Sequence, residues 1–169
     1  MDWPGRVFEV LKAARVRQVA YVPDAGHAAL IRSAHDDPAM VAVPLTTEGE
    51  GIPLLAGAHL GGDRGVLLMQ SSGVGNCLNM LSLVKVCRFP FLAIVTMRGE
   101  FGEENPWQVP MGEATEAALR LMDLSVLRAA DPEEAAPVVD AACRMAFTGG
   151  LAVAVLLSQR LVGAKSFGR

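Results

Sequence analysis

Short apolar runs and longer amphipathic segments alternate along the whole chain. The apolar runs have the length of strands, and the segments between them carry apolar residues at helical spacing. The predicted strands cover residues 18–22, 40–43, 66–69, 91–96, 125–128 and 151–157. The predicted helices cover residues 5–14, 28–34, 52–60, 74–86, 113–122 and a last segment after Asp131. This alternation predicts an α/β fold, a three-layer α/β/α arrangement with a mostly parallel six-stranded sheet.

The last helix and the last strand have the clearest boundaries. Asp131 is suited to cap the helix, Pro132 to occupy its first turn, and Gly149 to lie beyond its end. The run from Leu151 to Leu157 is wholly apolar, which is typical of a parallel strand buried on both faces. No internal repeat or linker interrupts the pattern, so we expect residues 1–169 to form one domain.

Three of the predicted strands are followed by polar, Gly-rich tips. Glu48 follows the second strand, the segment from Gln70 to Asn76 follows the third, and Arg98 follows the fourth. The carboxyl ends of parallel strands meet at one edge of the sheet, where open α/β folds bind their ligands. The sequence therefore predicts a ligand site at this edge.

Glu48 is the carboxylate on which this prediction depends most. Gly49, Gly51 and Gly57 remove side-chain bulk around it, so a flat ligand or another backbone can approach. From composition alone, the favoured interpretation is an ordinary glutamate at a helix start, facing water and the helix dipole. Glu50, two residues further on in the same Gly-flanked stretch, remains a rival.

The segment from Gln70 to Asn76 is rich in hydroxyl and amide groups and leads into a predicted helix. Backbone amides at a helix start suit phosphate or carbonyl groups. The segment is neither a P-loop nor a GxGxxG fingerprint, because it lacks the GK[ST] ending and its glycine spacing differs. From the residues alone, a plain capped turn is an equal alternative.

Composition narrows the classes of function. The chain is 51% apolar and 20% charged, with a net charge of -3. Nucleic-acid binding is not expected, because phosphate contacts need clustered Lys and Arg. The three cysteines lack a CxxC spacing and indicate neither a disulfide framework nor a zinc site, and Cys77 is best interpreted as a small buried filler.

The low charge fraction also suggests that another subunit covers part of the apolar surface. The N-terminus has no basic segment followed by an apolar one, and no apolar run has the length of a membrane span. We therefore expect a cytoplasmic, reduced protein.

Four segments together form a more specific pattern than any of them alone. They are Tyr21-Val22-Pro23-Asp24, Glu48-Gly49 with the helix after it, Gln70-Ser71-Ser72-Gly73-x-Gly75-Asn76, and Arg98-Gly99-Glu100. The pattern resembles the pyrimidine-binding domain of thiamine-diphosphate-dependent decarboxylases, in the branch that contains sulfopyruvate decarboxylase and phosphonopyruvate decarboxylase. The resemblance runs from about Val19 to Leu157.

The resemblance implies a catalytic role for Glu48. The family's characteristic glutamate activates the cofactor by a hydrogen bond to its aminopyrimidine ring, and Glu48 is the matching position. The segment that lines the cofactor pocket matches Gln70, Ser71, Ser72, Gly73, Gly75 and Asn76.

The resemblance also suggests where substrate binds. Pro23, Asp24 and His27 lie at the first tip, where the family often has polar residues that handle protons, although a lone histidine beside a loop is more often merely exposed. Arg98 suits the anionic tail of a substrate, with a salt bridge to one of the nearby glutamates (100, 103 or 104) as an equal alternative. Gln108, beside Trp107, is expected in a lid or wall formed by residues 99–112.

The family's single-chain members carry a second domain whose Gly-Asp-Gly motif begins the magnesium and diphosphate site. Gly-Asp-Gly does not occur here, and the chain leaves no room for such a domain. The resemblance is therefore to the alpha subunit of a split enzyme. A separate beta subunit would bind Mg²⁺ and the diphosphate in a hetero-oligomer that also self-associates. No metal site is expected in this chain.

Decarboxylation of 3-sulfopyruvate to sulfoacetaldehyde and carbon dioxide is the preferred expectation, with phosphonopyruvate or another 2-oxo acid as the alternative substrate. Two other functions remain open. One is a non-catalytic regulatory subunit that keeps the fold. The other is a flavodoxin-like domain that binds a phosphate-bearing ligand by its own loop.

Overall fold

The computed structural model describes residues 2–164. Its six strands are β1 (Val16–Tyr21), β2 (Val41–Pro44), β3 (Arg64–Gln70), β4 (Phe91–Thr96), β5 (Ser125–Ala129) and β6 (Ala152–Leu157). Its helices are α1 (Trp3–Ala13), α2 (Ala28–Asp36), α3 (Gly51–Leu60), α4 (Ser71–Cys87), α5 (Val109–Leu121), α6 (Pro132–Phe147) and α7 (Gln159–Val162). Short 3-10 turns cover Ala25–His27, Glu48–Glu50 and Pro106–Gln108.

All strands pair in parallel, in the order β2-β1-β3-β4-β6-β5. One face of the sheet packs against α1, α2 and α6, and the other packs against α3, α4 and α5. Strands β1 and β3 are adjacent in the sheet. After β1 the chain continues to β2 on one side, and after β3 it continues to β4 on the other, so the carboxyl ends of β1 and β3 form a topological switch point. The predicted α/β/α fold is confirmed, with a sheet that is wholly parallel.

The central strands are buried because their sequences are almost continuously apolar. Every residue of β4 is buried, and only Ala152 of β6 is partly exposed. The predicted cap of α6 is also present, since Asp131 accepts hydrogen bonds from the backbone N–H groups of Glu133 and Glu134. These features confirm the parts of the prediction that depend on local sequence signals.

Two helix starts differ from the prediction. Helix α4 begins at Ser71 and not at Val74, so most of the predicted Gln70–Asn76 loop is helical and Gln70 alone precedes it. Helix α5 begins at Val109, with Pro110 in its first turn, so the predicted 99–112 loop is shorter. Glycines at the start of α4 are typical of a loop, but Gly73 lies within the helix and lets the side chain of Glu48 pack directly against it.

Candidate active site

Glu48 lies in the 3-10 turn that connects β2 to α3, and only 8% of the residue is exposed. The backbone of Thr47 is extended, so the chain turns directly after it. The rival carboxylate, Glu50, is exposed and accepts a hydrogen bond from the backbone N–H of Thr46 at 2.9 Å. Glu50 therefore stabilises the turn, whereas the side chain of Glu48 is turned into the molecule.

The side chain of Glu48 packs against the first turns of α4. Asn76 Nδ2 donates a hydrogen bond to Glu48 Oε2 at 2.8 Å. A Cβ atom at Gly73 would overlap the carboxyl carbon and Oε1 of Glu48, and a Cβ at Gly49 would lie 3.0 Å from the carbonyl oxygen of Asn76. The glycines of this segment therefore serve close approach between the turn and the helix. Gly57 has open space around it and takes no part in this contact.

Within residues 2–164, the hydrogen bond with Asn76 is the one hydrogen bond made by the Glu48 side chain. A carboxylate can accept several hydrogen bonds through its two oxygens. Glu48 is thus a nearly buried acceptor with capacity left for a donor from outside the chain. This is the chemistry required for binding a ring N–H or a protonated ring nitrogen.

A second polar cluster joins the tips of β1, β3 and β4. Asp24 Oδ1 accepts from Gln70 Nε2 at 2.8 Å, and Asp24 Oδ2 accepts from Thr96 Oγ1 at 2.7 Å. Ser72 Oγ donates to Gln70 Oε1 at 3.0 Å, which connects the cluster to α4. The tips of β3 and β4 therefore meet as predicted and are joined by Asp24 from the tip of β1, whereas Glu48 contacts α4 instead. Thr96 was missed, although a hydroxyl at the end of an apolar strand was a usable signal.

His27 is 1% exposed, so the expectation that a lone histidine here is merely exposed is wrong. Its Nε2 lies 3.2 Å from the carbonyl oxygen of Met69 and 3.1 Å from that of Ile94. Both carbonyls can only accept, so Nε2 carries a hydrogen. Burial lowers the pKa of the ring, and the nearby Asp24 carboxylate opposes this less strongly. His27 thus links β3 to β4, and the substrate role expected of it stays a prediction.

Arg98 makes the salt bridge that was the alternative to substrate binding. Its Nε and Nη2 donate to the two oxygens of Glu103, and both side chains are under a tenth exposed. The Arg98 guanidinium, followed by hydrogen bonds from Asn105, Gln159 and Gly99, lowers the pKa of Glu103 to about 2. The planar fork of Arg98 is therefore occupied by an internal carboxylate in this structure.

Residues 106–111, which follow Glu103 in the sequence, form one wall of a groove of about 780 Å³. The opposite wall is the start of α4. The groove is lined by Ser72, Gly75, Asn76, Pro106, Trp107, Pro110 and Met111. Trp107 is 83% exposed, and Asn76 connects the groove to Glu48. Part of the 99–112 segment thus forms one wall of a groove that Asn76 connects to Glu48.

The other predicted residues lie away from this groove or beneath it. Ser71 is fully buried, and its Oγ accepts from the backbone N–H of Arg98 at 3.0 Å. Pro23 lines a separate groove of about 640 Å³ between β1 and α2. Gln108 has a buried Oε1 without a hydrogen-bond partner among residues 2–164. Cys77 is buried, and desolvation, with a smaller contribution from Glu48, raises the pKa of its thiol to about 12, so it is the filler that was predicted.

Residues 2–164 were compared with the requirements of a metal site and of a membrane-spanning helix. No group of three or more His, Cys, Asp or Glu side chains between residues 2 and 164 could hold a metal ion. The helices described for this chain include none that is both long enough and apolar enough to cross a membrane.

Comparison with known proteins identifies close relatives, although no family model matches the chain. The chain is 35% identical to sulfopyruvate decarboxylase subunit alpha of Methanococcus maripaludis, over 89% of this chain and 91% of the relative. It is 36% identical to the subunit of the same name from Methanothermobacter thermautotrophicus, over 93% of this chain and 96% of the relative. It also shares 38% identity with phosphonopyruvate decarboxylase of Streptomyces viridochromogenes, of which it covers only 33%.

A solved structure supports the fold independently. The chain superimposes on 2-oxoglutarate:ferredoxin oxidoreductase from Magnetococcus marinus with a TM-score of 0.77, over 96% of this chain and 29% of that one. The two are 15% identical, so this likeness shows the fold alone. The relatives that match over nearly their whole length show more: the chain belongs to the family of sulfopyruvate decarboxylase alpha subunits.

Proposed function

We propose that this chain is the cofactor-activating alpha subunit of a split, thiamine-diphosphate-dependent 2-oxo acid decarboxylase, and that its substrate is 3-sulfopyruvate. One observation supports the mechanism most directly. Glu48 is a nearly buried carboxylate with a single hydrogen bond from within the described chain. A carboxylate in this state suits acceptance of a proton or a hydrogen bond from a ligand, since the surrounding protein excludes water.

The residues around Glu48 fit the aminopyrimidine part of the cofactor. Gly73 leaves the space beside Oε1 without a side chain, and Asn76 holds Oε2. Ser72 and Gly75 line the groove beside Asn76, Gln70 is hydrogen-bonded to Ser72, and Ser71 accepts from the backbone N–H of Arg98. When bound, thiamine diphosphate supplies the ring that accepts the electron pair left as carbon dioxide departs. This chain would bind and orient the other ring of the cofactor, the aminopyrimidine, and Glu48 would hold a proton at a nitrogen of that ring.

A beta subunit would complete the active site. The relatives are named as alpha subunits, and the chain covers 91% and 96% of their lengths. We propose that the partner binds Mg²⁺ and the diphosphate, so that the site forms between chains in a cytoplasmic hetero-oligomer.

The substrate assignment rests on the names of these relatives. The phosphonopyruvate decarboxylases also match, which keeps phosphonopyruvate as the alternative. At the first tip, Asp24 is the group placed to handle a proton, since it is only partly buried and lies at the carboxyl ends of β1, β3 and β4. Arg98 would have to release Glu103 before its fork could hold the sulfonate.

The test is carbon dioxide release by the chain co-purified with its beta subunit, thiamine diphosphate and Mg²⁺. Sulfopyruvate and phosphonopyruvate are compared, and wild type is compared with Glu48→Gln. We expect release from sulfopyruvate by the wild-type complex and a loss of about a hundredfold or more in the variant. Unchanged activity in Glu48→Gln would favour a regulatory subunit. Activity with phosphonopyruvate alone would correct the substrate and keep the mechanism.

A further inference from the structure

We propose that Asn76 is a positioning residue that holds the plane of the Glu48 carboxylate in the orientation in which this group binds the cofactor. This role rests on the proposed function of Glu48. Sequence resemblance places Asn76 among the residues that touch the cofactor, whereas the structure shows its amide bound to the carboxylate. Asn76 would therefore act through Glu48.

The two oxygens of Glu48 have different surroundings. Oε2 accepts from Asn76 Nδ2 at 2.8 Å. Oε1 packs against the backbone of Gly73, where a Cβ atom would overlap it. Because the two oxygens of a carboxylate are equivalent, a half turn about the Cγ–Cδ bond restores the same hydrogen bond. At intermediate angles neither oxygen keeps it, so the amide of Asn76 fixes the plane of the carboxylate.

The backbone holds the side-chain amide of Asn76 within hydrogen-bonding distance of Glu48. A Cβ at Gly49 would lie 3.0 Å from the carbonyl oxygen of Asn76, so the turn that carries Glu48 lies directly on α4. Glu48 and Asn76 are thus held close by elements that are separated by 28 residues in the sequence. The hydrogen bond does not depend on a flexible segment.

An amide is well suited to this position. A Lys or Arg side chain would fix the carboxylate too, but it would also neutralise the charge on which Glu48 depends. The neutral N–H of asparagine orients the group and leaves its negative charge available. Asn76 also lines the groove beside Trp107, so it lies between Glu48 and the space where a ligand or partner enters.

The chain offers a matched control for Asn76. Asn79 is exposed on the same helix, about one turn further along, and none of its side-chain hydrogen bonds involves Glu48. Asn76→Leu and Asn76→Asp remove the N–H donor at similar size, and Asn76→Gln retains it. We expect kcat in the complex to fall roughly ten- to hundredfold in the first two variants, with KM changed less than about threefold. Asn76→Gln should recover part of the loss, and Asn79→Leu should match wild type.

A second readout does not require the cofactor or activity. In the ¹⁵N-labelled chain, the side-chain NH₂ signals of Asn76 and Asn79 are assigned from their variants. We expect Glu48→Ala to shift the Asn76 signals strongly and to leave those of Asn79 in place. Unmoved Asn76 signals would overturn the proposal, since the hydrogen bond would not exist in solution.

The two readouts separate the failure of this inference from the failure of the proposed function. If Glu48→Gln abolishes activity while Asn76→Leu and Asn76→Asp match wild type, the positioning role is wrong and the function of Glu48 stands. If Glu48→Gln stays active, both roles are overturned, and the NMR contact is then purely structural.

Discussion

Two carboxylate groups in this molecule are largely hidden from solvent and differ in their hydrogen bonds. Of the whole Glu48 residue 8% is exposed, and of the Glu103 side chain 3% is exposed. Glu103 accepts from Arg98 Nε and Nη2, from Gln159 Nε2, and from the backbone N–H groups of Gly99 and Asn105. Within residues 2–164, the side chain of Glu48 accepts from Asn76 alone.

The difference indicates that Glu103 is a structural carboxylate and supports the proposal that Glu48 binds a ligand. Burial of a charge without hydrogen bonds is costly, so a buried carboxylate normally has its acceptor capacity filled. Glu103 follows this rule and holds the segment after β4 in place. Glu48 departs from it, and the departure is explained if a ligand supplies the remaining donor.

The largest effect on stability is expected from Glu103→Gln. The variant leaves the buried guanidinium of Arg98 without its counter-charge, which costs about 3–5 kcal/mol of the free energy of unfolding. Denaturant unfolding of the chain measures the loss, with exposed Glu113→Gln as the matched control, expected within about 0.5 kcal/mol of wild type. A Glu103→Gln variant as stable as the control would show that the salt bridge is not structural.

A smaller effect is expected from Gly73→Ala, which changes the surroundings of Glu48 itself. The added methyl group overlaps the carboxylate, so we expect a loss of about 1–3 kcal/mol and lower activity in the complex. Gly57→Ala is the matched control, because its Cβ meets open space on α3, and it should stabilise the chain by about 0.4–1 kcal/mol. If both variants behave alike, the close packing around Glu48 is not present in solution.

The smallest effect concerns the pH dependence of stability due to His27. Its pKa in the folded chain lies below the ordinary value of 6.5, so below that pH the unfolded chain binds a proton that the folded chain does not. Stability should therefore fall as the pH drops from about 7 towards 5, by at most about 1.4 kcal/mol per pH unit. Chemical denaturation at a series of pH values gives the slope.

His27→Gln should flatten this slope. Glu103 acts in a separate window. Its lowered pKa contributes stability that is fully present above about 4.5 and is lost as the pH falls through about 2. An unchanged slope in His27→Gln between pH 5 and 7 would contradict the buried, neutral state of this histidine.

The fold could be predicted from the sequence because its strands are encoded locally. The apolar runs of β4 and β6 and the cap at Asp131 each specify their own element, and all three were predicted correctly. Helix α7 was missed because its four residues are too short to show a period. The start of α4 was misplaced because glycine propensity indicates a loop, whereas Gly73 is needed for a contact with a distant residue.

The site could be predicted only in part, since its decisive features are long-range contacts. The sequence placed Glu48 and Glu50 two residues apart in similar surroundings and could not separate them. The structure separates them because Glu48 contacts Asn76, which is distant in sequence, while Glu50 bonds its own turn. Arg98 had two equal interpretations for the same reason, and the choice of Glu103 depends on the path of the loop after β4.

The central claim is that Glu48 is kept for chemistry and not for stability. It is tested most directly by measuring carbon dioxide release and the free energy of unfolding on the same preparations of wild type and Glu48→Gln, with the beta subunit and thiamine diphosphate present for the activity assay. We predict that activity falls about a hundredfold or more while the stability of the chain stays within about 1 kcal/mol of wild type or rises, because the substitution removes a buried charge. A Glu48→Gln variant that keeps its activity, or that loses as much stability as Glu103→Gln, would contradict the account.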